Sequence, residues 1–437
     1  MTVKENGVRT PFFAHLEETF TQRATQDEVK LTAWKEFLQL GLPTKKSERF
    51  HYVPLKDLYQ NTFSIESSSA ISQEVISASV LEACRGSYLV FVDGCFRKDL
   101  SCVDSISKQV LMMNLSQARK SSYGSFYQTR TMQRLVKEKD PFFLMNAAMS
   151  SDGLFLYVPP KVIVEAPIQC IQCFSKDRGS MVFPKAQVFI GAGAKVEWIS
   201  SQQSGSVPAS FYYNGATDIS VEEGAHFSHY LLADSTDGSW IFDSVRATVK
   251  KGGIYHSSYL SCGGKCVRYD VQVSLCGEGS EARLHGLSFL EGKNQSHIHV
   301  EVEHDAPGCR SHQWFKNVLT DHSLASFAGK IFVRQIAQKT EAYQLNNSLL
   351  LSDGAIVNSK PMLEIFADDV KASHGATISE LNEEQLFYLQ TRGLSREQAK
   401  ALLTLGFCKD IISEIPIDCL RSAAFHRIEA FLAKHQG

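Results

Sequence analysis

The sequence predicts a mainly β protein with α caps. A stack of parallel β-strands spans residues 151–376, between a mostly helical N-terminal domain (1–150) and a helical C-terminal domain (377–437). Three observations carry this. From Leu154 onward strand-like phrases follow at short intervals, among them LFLYVPP, KVIVE, QVFIGAGAKVEWIS, DISVEEGAHFSHYLL and HIHVEVEH, many with the period-two alternation of half-buried strands. Glycines punctuate the region at Gly193, Gly224, Gly253, Gly279 and Gly308, in steps of 31, 29, 26 and 29 residues. Similar phrases follow several of them (GAKVEWIS, GAHFSHYLL, GIYHSSYL), the signature of a solenoid. One coil cannot bury its inward side chains alone, whereas stacked coils share a core and satisfy one another's backbone. Finally, apolar residues recur at helical spacing only towards the two ends of the chain.

Taken in order, Asp27 to Leu40 places Val29, Leu31, Trp34, Phe37 and Leu38 at helical spacing, and Gly41-Leu42-Pro43 stops the helix. Ser47 to Leu58 mixes aromatics and charges, as a loop packing Phe50, Tyr52 and Leu55 would. Residues 60–85 are rich in serine and are expected to be partly mobile. YLVFVDGCF at 88–96 reads as a strand entering an Asp-Gly turn. Helix is expected from Ile106 to about Lys139, broken near Ser121 to Ser125. Phe142 to Met149 is apolar and precedes the turn Ser151-Asp152-Gly153. Past the strands, Glu383 to Gln390 is helical, with Leu386, Phe387 and Leu389 apolar, and Gly393 ends it. Ser395 and Gln398 fit a capping box for the next helix, which Gly406 should end. Pro416 opens a last helix with Leu420, Ala424, Ile428 and Phe431 on one face. Because a solenoid has raw ends that invite further pairing, this tail is expected to cap it.

Bulk properties exclude several function classes. The 437 residues are 43% hydrophobic and 21% charged, with a formal net charge of −2. That balance makes no electrostatic case for nucleic acid or an anionic membrane. No apolar run approaches the roughly 20 residues that span a bilayer, and MTVKENGVRTPFFAHLEE lacks the apolar core of a secretory signal. The eleven cysteines are odd in number and the chain is long, which is not the pattern of a small disulfide scaffold. A cytoplasmic protein with reduced thiols is expected, in which the sequons at Asn114, Asn294 and Asn346 carry no meaning.

The most informative stretch runs from His304 to Thr377. Its phrases PGCRSHQWFKNVL, SFAGKIFV, AQKTEAYQLNNSLLLS and SKPMLEIFADDVKASHGAT, followed by EEQLFYLQTRGLS, closely resemble the SufB/SufD family of iron–sulfur cluster assembly proteins. KKSERFHYVPLKDL, FVDGCF and DGLFLYVPPKVIVEAPIQ extend the resemblance over most of the chain. Within that family it is more similar to the SufD branch. The SufB branch has a cysteine before its SLL run where this chain has Asn346-Asn347-Ser348, and reads HEAT where this chain has His374-Gly375-Ala376-Thr377. SufD relatives often carry a cysteine two residues before that histidine; here the position is Ala372.

The resemblance implies a right-handed parallel β-helix core and a non-catalytic scaffold subunit. It implies pairing with SufB through the end of the β-helix, and docking of SufC, an ABC-type ATPase, on the C-terminal helices. ATP hydrolysis would belong to SufC. No tightly bound cofactor is implied, only a transient iron–sulfur cluster at the SufB–SufD contact. His374 is the candidate residue there, as a metal ligand or proton handler, against the plainer reading of a polar residue in the turn leaving the last coil. Phe387, Tyr388 and Arg392 are candidates for the SufC contact, although Leu386, Phe387 and Leu389 fit an intradomain core equally well. A homodimer through the same end stays open. So do two rivals: a SufB-like scaffold holding a cluster alone, which needs a thiolate where Asn346 stands, and a β-helix carbohydrate-active enzyme using Asp368 and Asp369.

Other constellations are weaker. His297 and His299 share a strand face, the geometry of a ligand pair but also of exposed residues on a solenoid wall. Cys170 and Cys173 have CxxC spacing, yet on a strand their thiols point to opposite faces, which favours core packing over chelation. Cys262 and Cys266 flank Gly263-Gly264. Cys309 sits inside a family phrase without an assigned role. There is no GxxxxGK[ST] phosphate loop and no GxSxG elbow.

Overall fold

The computed structural model describes residues 10–65, 71–175, 178–202 and 210–434. Two sheets run the length of a β-solenoid. From its free edge, face one comprises Ile356–Ile365, Leu324–Val333, Gln295–His304, Cys266–Leu275, Trp240–Val249, Ser210–Val221, Lys185–Ile190, Leu154–Val158 and Leu111–Asn114. Face two comprises Val370–Glu380, Thr340–Leu350, Arg310–Leu319, Glu281–Leu290, Ile254–Gly263, His226–Ser235, Lys195–Gln202, Ile168–Cys173, Tyr88–Val92 and Cys95–Cys102. From Lys195–Gln202 on, successive strands alternate between faces and pair in parallel.

Inward side chains stack in columns. On face one Ile219, Ala247, Val273, Val302, Ile331 and Leu363 lie in register. The first five are fully buried and Leu363, on the last strand, is half-buried. Each buried Val or Ile contributes roughly 1.5–3 kcal/mol, and that contribution fades at the coil that has nothing stacked on it.

The repeat in the sequence is a repeat of one corner. Gly193, Gly224, Gly252, Gly279 and Gly308 have φ between +60° and +68°. Each donates its N–H across to the next coil, to the carbonyls of Glu223, Lys251, Glu278, Pro307 and Gln338 at 2.8–3.1 Å. Lys161 and Lys339, also left-handed, continue the ladder at its two ends. A Cβ at Gly224, Gly252 or Gly279 would meet nothing within 4 Å. Glycine is favoured there by conformation and not by space. The corner expected at Gly253 falls one residue earlier, at Gly252.

The helical elements differ from expectation in instructive ways. Glu28–Leu40 forms as read, capped by Asp27, and Gly41 at φ +70° ends it, but Leu31 is exposed and Ala33 takes its place in the core. Phe50 and Leu55 are buried, whereas Tyr52 is exposed. Helix does not begin at Ile106. Ile106 and Val110 bury in the solenoid core, Leu111–Asn114 is a strand, and Asn114 then caps the helix Leu115–Lys120 in a capping box with Gln117. In the serine-rich stretch, 66–70 lie outside the described residues, but Ser72 caps a helix at Gln73–Ser79. Residues 1–9 of the N-terminal reading likewise lie outside the described residues. Phe142 to Met149 is a wholly buried helix, Pro141–Met149, started by Asp140.

At the other end Gly406 does not stop its helix. Arg396–Ser413 runs on because Cys408, Ile411 and Ile412 bury against Leu260, Leu287 and Val318 of face two. The last helix, Asp418–Lys434, adds Leu420, Ala424, Ile428 and Phe431 to that cluster, and Lys316 Nζ donates to the Phe407 carbonyl at 2.6 Å. The tail therefore lies along the flank of the solenoid and is not a cap across its end. The final strand continues to Glu380, beyond the boundary expected at 376.

Candidate functional site: the open end of the solenoid

The last strands, Ile356–Ile365 and Val370–Glu380, have one neighbour each. On the first, Ile356 and Phe366 donate to Ser323 and Val333 of the preceding coil. In a parallel ladder alternate residues therefore turn their backbone to the free edge: Val357, Ser359, Pro361, Leu363 and Ile365. Val357, Leu363 and Ile365 also face the lumen. Pro361 has no N–H to offer at the centre of this row. On the second strand, the repeated bonds Glu281 to Gly253, Arg310 to Ser280 and Glu341 to Cys309, with Glu341 in register with Lys371, put Val370, Ala372, His374, Ala376 and Ile378 in the edge-facing set. Val370 and Ala372 pack towards Ile331, Val333 and Ala342 in the lumen.

His374 is thus in mid-strand and exposed, not in a turn leaving the last coil. It stands in register with Gln344 of the coil below. Gln344 is buried and donates through Nε2 to Gln313 Oε1 at 2.7 Å, while its own Oε1 has no partner among the described residues. An amide column climbs the lumen and ends, one strand short of His374, with an unused acceptor. Ala372 lies on the same side of the strand two residues away, so a cysteine there would share the face of His374. Asn346 is fully buried, its Nδ2 3.4 Å from the Phe315 carbonyl; it contributes no thiolate. Asp368 and Asp369 are exposed in the corner before the last strand, where the Asp369 carbonyl accepts from Lys339 and its N–H donates to Gln338. That is turn chemistry.

The C-terminal candidates separate cleanly. Leu386 is buried, Leu389 is half-buried, and Phe387 and Tyr388 are 69% and 62% exposed. Arg392 is exposed at the C-terminus of the same helix. Two adjacent aromatics and an arginine therefore face solvent on one short helix, which follows the last strand after two residues.

Other sequence candidates are absorbed by structure. His297 and His299 are not loose wall residues: His297 is buried, with ring nitrogens 2.7 Å from Ser326 Oγ and 3.2 Å from Gln295 Oε1. His299 lies 3.0 Å from Asp270 and accepts from Arg49 at 3.2 Å. Cys170 joins the lumen core and Cys173 a separate cluster outside it, and burial pushes the Cys173 thiol up to about 12. Cys262 and Cys266 fall in different clusters. Cys309 is buried in its corner beside Ser280 and the Gly277 carbonyl. Among the described residues no group of three or more His, Cys, Asp or Glu could hold a metal ion, and no helix is long and apolar enough to cross a membrane.

Sequence reasoning missed a buried ionic cluster beneath the N-terminal helices. Arg246 bonds Glu138 at 2.8 Å and Asp270 at 2.7 Å, and Arg268 bonds Asp140 at 2.7 Å and Asp270 at 2.6 Å, all essentially without solvent. Burial alone would raise the Asp270 carboxyl, but Arg246, Arg268 and His299 outweigh it and hold it well below the usual carboxylate range. The cluster locks the helix capped by Asp140 onto face one.

The molecule is thus a β-solenoid with helices packed along it, a free strand edge at one end and solvent-facing aromatics on a short helix. The comparisons are specific. Residues 173–407 match the family described as SUF system FeS cluster assembly, SufBD core domain, and residues 12–170 the SufBD protein N-terminal region. The chain belongs to the SufBD family of iron–sulfur cluster assembly proteins. It is 27% identical to the iron–sulfur cluster assembly protein SufD of Escherichia coli, over 93% of both chains. It is 28% identical to a SufBD family protein of Synechocystis, over 87% of this chain and 86% of that one. It is also 32% identical to the chloroplastic protein ABCI7 of Arabidopsis thaliana, over 67% of this chain and 63% of that one. It is an iron–sulfur cluster assembly protein of the SufD type.

Proposed function

We propose that the chain is the SufD-like subunit of a SufB–SufC–SufD scaffold, working in the cytoplasm without catalysis of its own. The open end of the solenoid takes SufB. The helix bearing Phe387, Tyr388 and Arg392 takes SufC, which hydrolyses ATP. A nascent iron–sulfur cluster forms transiently at the SufB contact, and no cofactor is held between cycles. The observation that carries this reading is the free edge itself: two strands of ten and eleven residues whose backbone groups and lumen-facing side chains await a partner, with His374 in the middle of one. An unpaired edge of that length favours association, and an exposed imidazole at the seam is a natural metal ligand or proton carrier. Gln344 Oε1 would accept the N–H of one ring nitrogen and leave the other for the cluster, as supporting residues do for histidine ligands.

Co-purification with the SufB and SufC counterparts tests this, comparing wild type with His374→Ala. The expected result is an intact three-component complex in both cases, with lowered cluster content in the variant. Unchanged cluster content would reduce His374 to an edge residue, and the absence of any complex would overturn the scaffold assignment. The SufB-like rival predicts a stable cluster on the lone chain after reconstitution with iron and sulfide.

A further inference from the structure

One cavity of the molecule is lined neither by His374 nor by the helix with the exposed aromatics, although Lys360, Met362 and Glu364 of the strand Ile356–Ile365 border it. It is a cleft of about 1060 Å³ between the N-terminal helices and the outer surface of face one, at the upper end of the roughly 300–1,000 Å³ typical of small-molecule sites and at the kind of seam where they occur.

Its walls are charged unequally. The helix Gly124–Lys137 lines one side with Arg130, Arg134 and Lys137, spaced four and three residues apart and therefore on one helical face. Like charges at that spacing repel one another, so a row of this kind is disfavoured unless an anion sits opposite. Lys139 and Lys250 extend the row. Of these five, Arg134 alone has a carboxylate partner among the described residues, Asp218 at 3.3 Å. The acids of the facing wall offer nothing to the others, because Glu301 is matched by Arg49, and Glu303 and Asp305 by Arg334.

The floor adds an independent sign. Arg268 also lines the cleft and is 1% exposed. Its Nη2 serves Asp140 and Asp270, and the Phe50 ring lies over the guanidinium at 4.5 Å, but its Nη1 is buried with no hydrogen-bond partner among the described residues. A buried guanidinium nitrogen without an acceptor is costly. Here the residue that carries it lines a cavity whose unpaired rim is cationic.

We infer that this cleft is a binding site for a small polyanion, whose oxyanion groups bridge the Arg130–Lys137 row above the buried, incompletely paired guanidinium of Arg268. Carboxylates and phosphates share that chemistry, since both accept forked bonds from guanidinium and point-charge bonds from lysine.

Isothermal titration of the full chain with citrate, and separately with tripolyphosphate, tests the inference and tells the two anions apart. Saturable one-to-one binding is expected for one or both, weakening with added salt as screening requires. Arg130→Gln combined with Lys137→Gln should weaken it at least tenfold with an unchanged circular dichroism spectrum. Lys137→Arg, which keeps the charge, and Lys98→Gln, which lies outside the cleft, should bind as wild type does. No saturable binding of either anion, or binding indifferent to the double substitution, would overturn the proposal. None of these readouts depends on SufB, SufC or cluster content.

Discussion

Asp270→Asn is the substitution that most directly tests how the N-terminal helices are held to the solenoid. The two side chains are isosteric, so packing is conserved. The Asp270 carboxylate accepts from Arg246 at 2.7 Å and Arg268 at 2.6 Å, with His299 3.0 Å away, and the two arginine side chains and the carboxylate are essentially without solvent. An asparagine keeps one oxygen and turns an NH₂ group towards a guanidinium. Removing one partner from a buried ionic set costs about 3–5 kcal/mol, because the charges left behind are uncompensated. At roughly 2 °C per kcal/mol for a large chain, the melting temperature should fall by about 6–10 °C. Glu301→Gln is the control: its pair with Arg49 is about a fifth exposed on both sides and should cost no more than about 1 kcal/mol. The pH dependence adds a second signature. Asp270 is held below its unfolded value, so its contribution is complete above about pH 4 and is lost as pH falls further, through the folded pKa. The gap between wild type and variant should be constant from pH 5 to 7 and close only in acid. If differential scanning calorimetry finds Asp270→Asn no worse than Glu301→Gln at pH 7, the cluster does not hold the two parts together and the reasoning fails.

Two further predictions concern the solenoid. Gly252→Ala should cost about 1–2 kcal/mol, the penalty of a left-handed L-residue, since the space beside Gly252 is empty; a chemical denaturation midpoint unchanged from wild type would show that the corner is not constrained. Asp243 lines a small cavity of about 30 Å³ with Tyr213, Tyr259, Gln172 and Gln202, and desolvation raises its carboxyl to about 7. A raised acid destabilises the fold progressively as pH climbs from about 4 to 7, by at most about 4 kcal/mol at 1.36 kcal/mol per decade. Asp243→Asn should therefore raise the melting temperature relative to wild type at pH 8 and leave it level at pH 4, and an equal effect at both would contradict the assignment.

The solenoid was legible because its corner is a local, repeated demand: a left-handed residue once per coil, which glycine meets most cheaply. The lumen-facing columns were legible for the same reason, since alternation within a strand needs no knowledge of its neighbours. What depends on distant residues was not. Arg246, Arg268 and Asp270 sit at outward positions of strands, and nothing in their own strands marks them out; only the docking of Glu138 and Asp140, more than a hundred residues upstream, makes them interior. Leu31 and Gly406 failed similarly. Helical spacing names the apolar positions, but the surface a helix meets decides which of them bury and how far the helix runs. His374 was singled out by its surrounding phrase, and the phrase could not say that it lies in mid-strand. That placement follows from the last coil having no successor.

The layout of the molecule constrains what its open end can accept. A partner strand in register with Val370–Glu380 would find donors and acceptors at every second residue. One laid along Ile356–Ile365 would miss a bond at Pro361, halfway along. Association across the whole end is therefore asymmetric. Face two offers continuous backbone pairing, whereas face one must rely on side-chain packing by Val357, Leu363 and Ile365. Proline on an exposed edge is a common guard against indiscriminate pairing, and here it guards one face only. His374 lies on the unguarded one, so under the proposed function the strand that would lend its imidazole to a shared site is also the strand best able to fix a partner's register. A rigid ladder on that side would hold a metal ligand in place while the proline side tolerates movement.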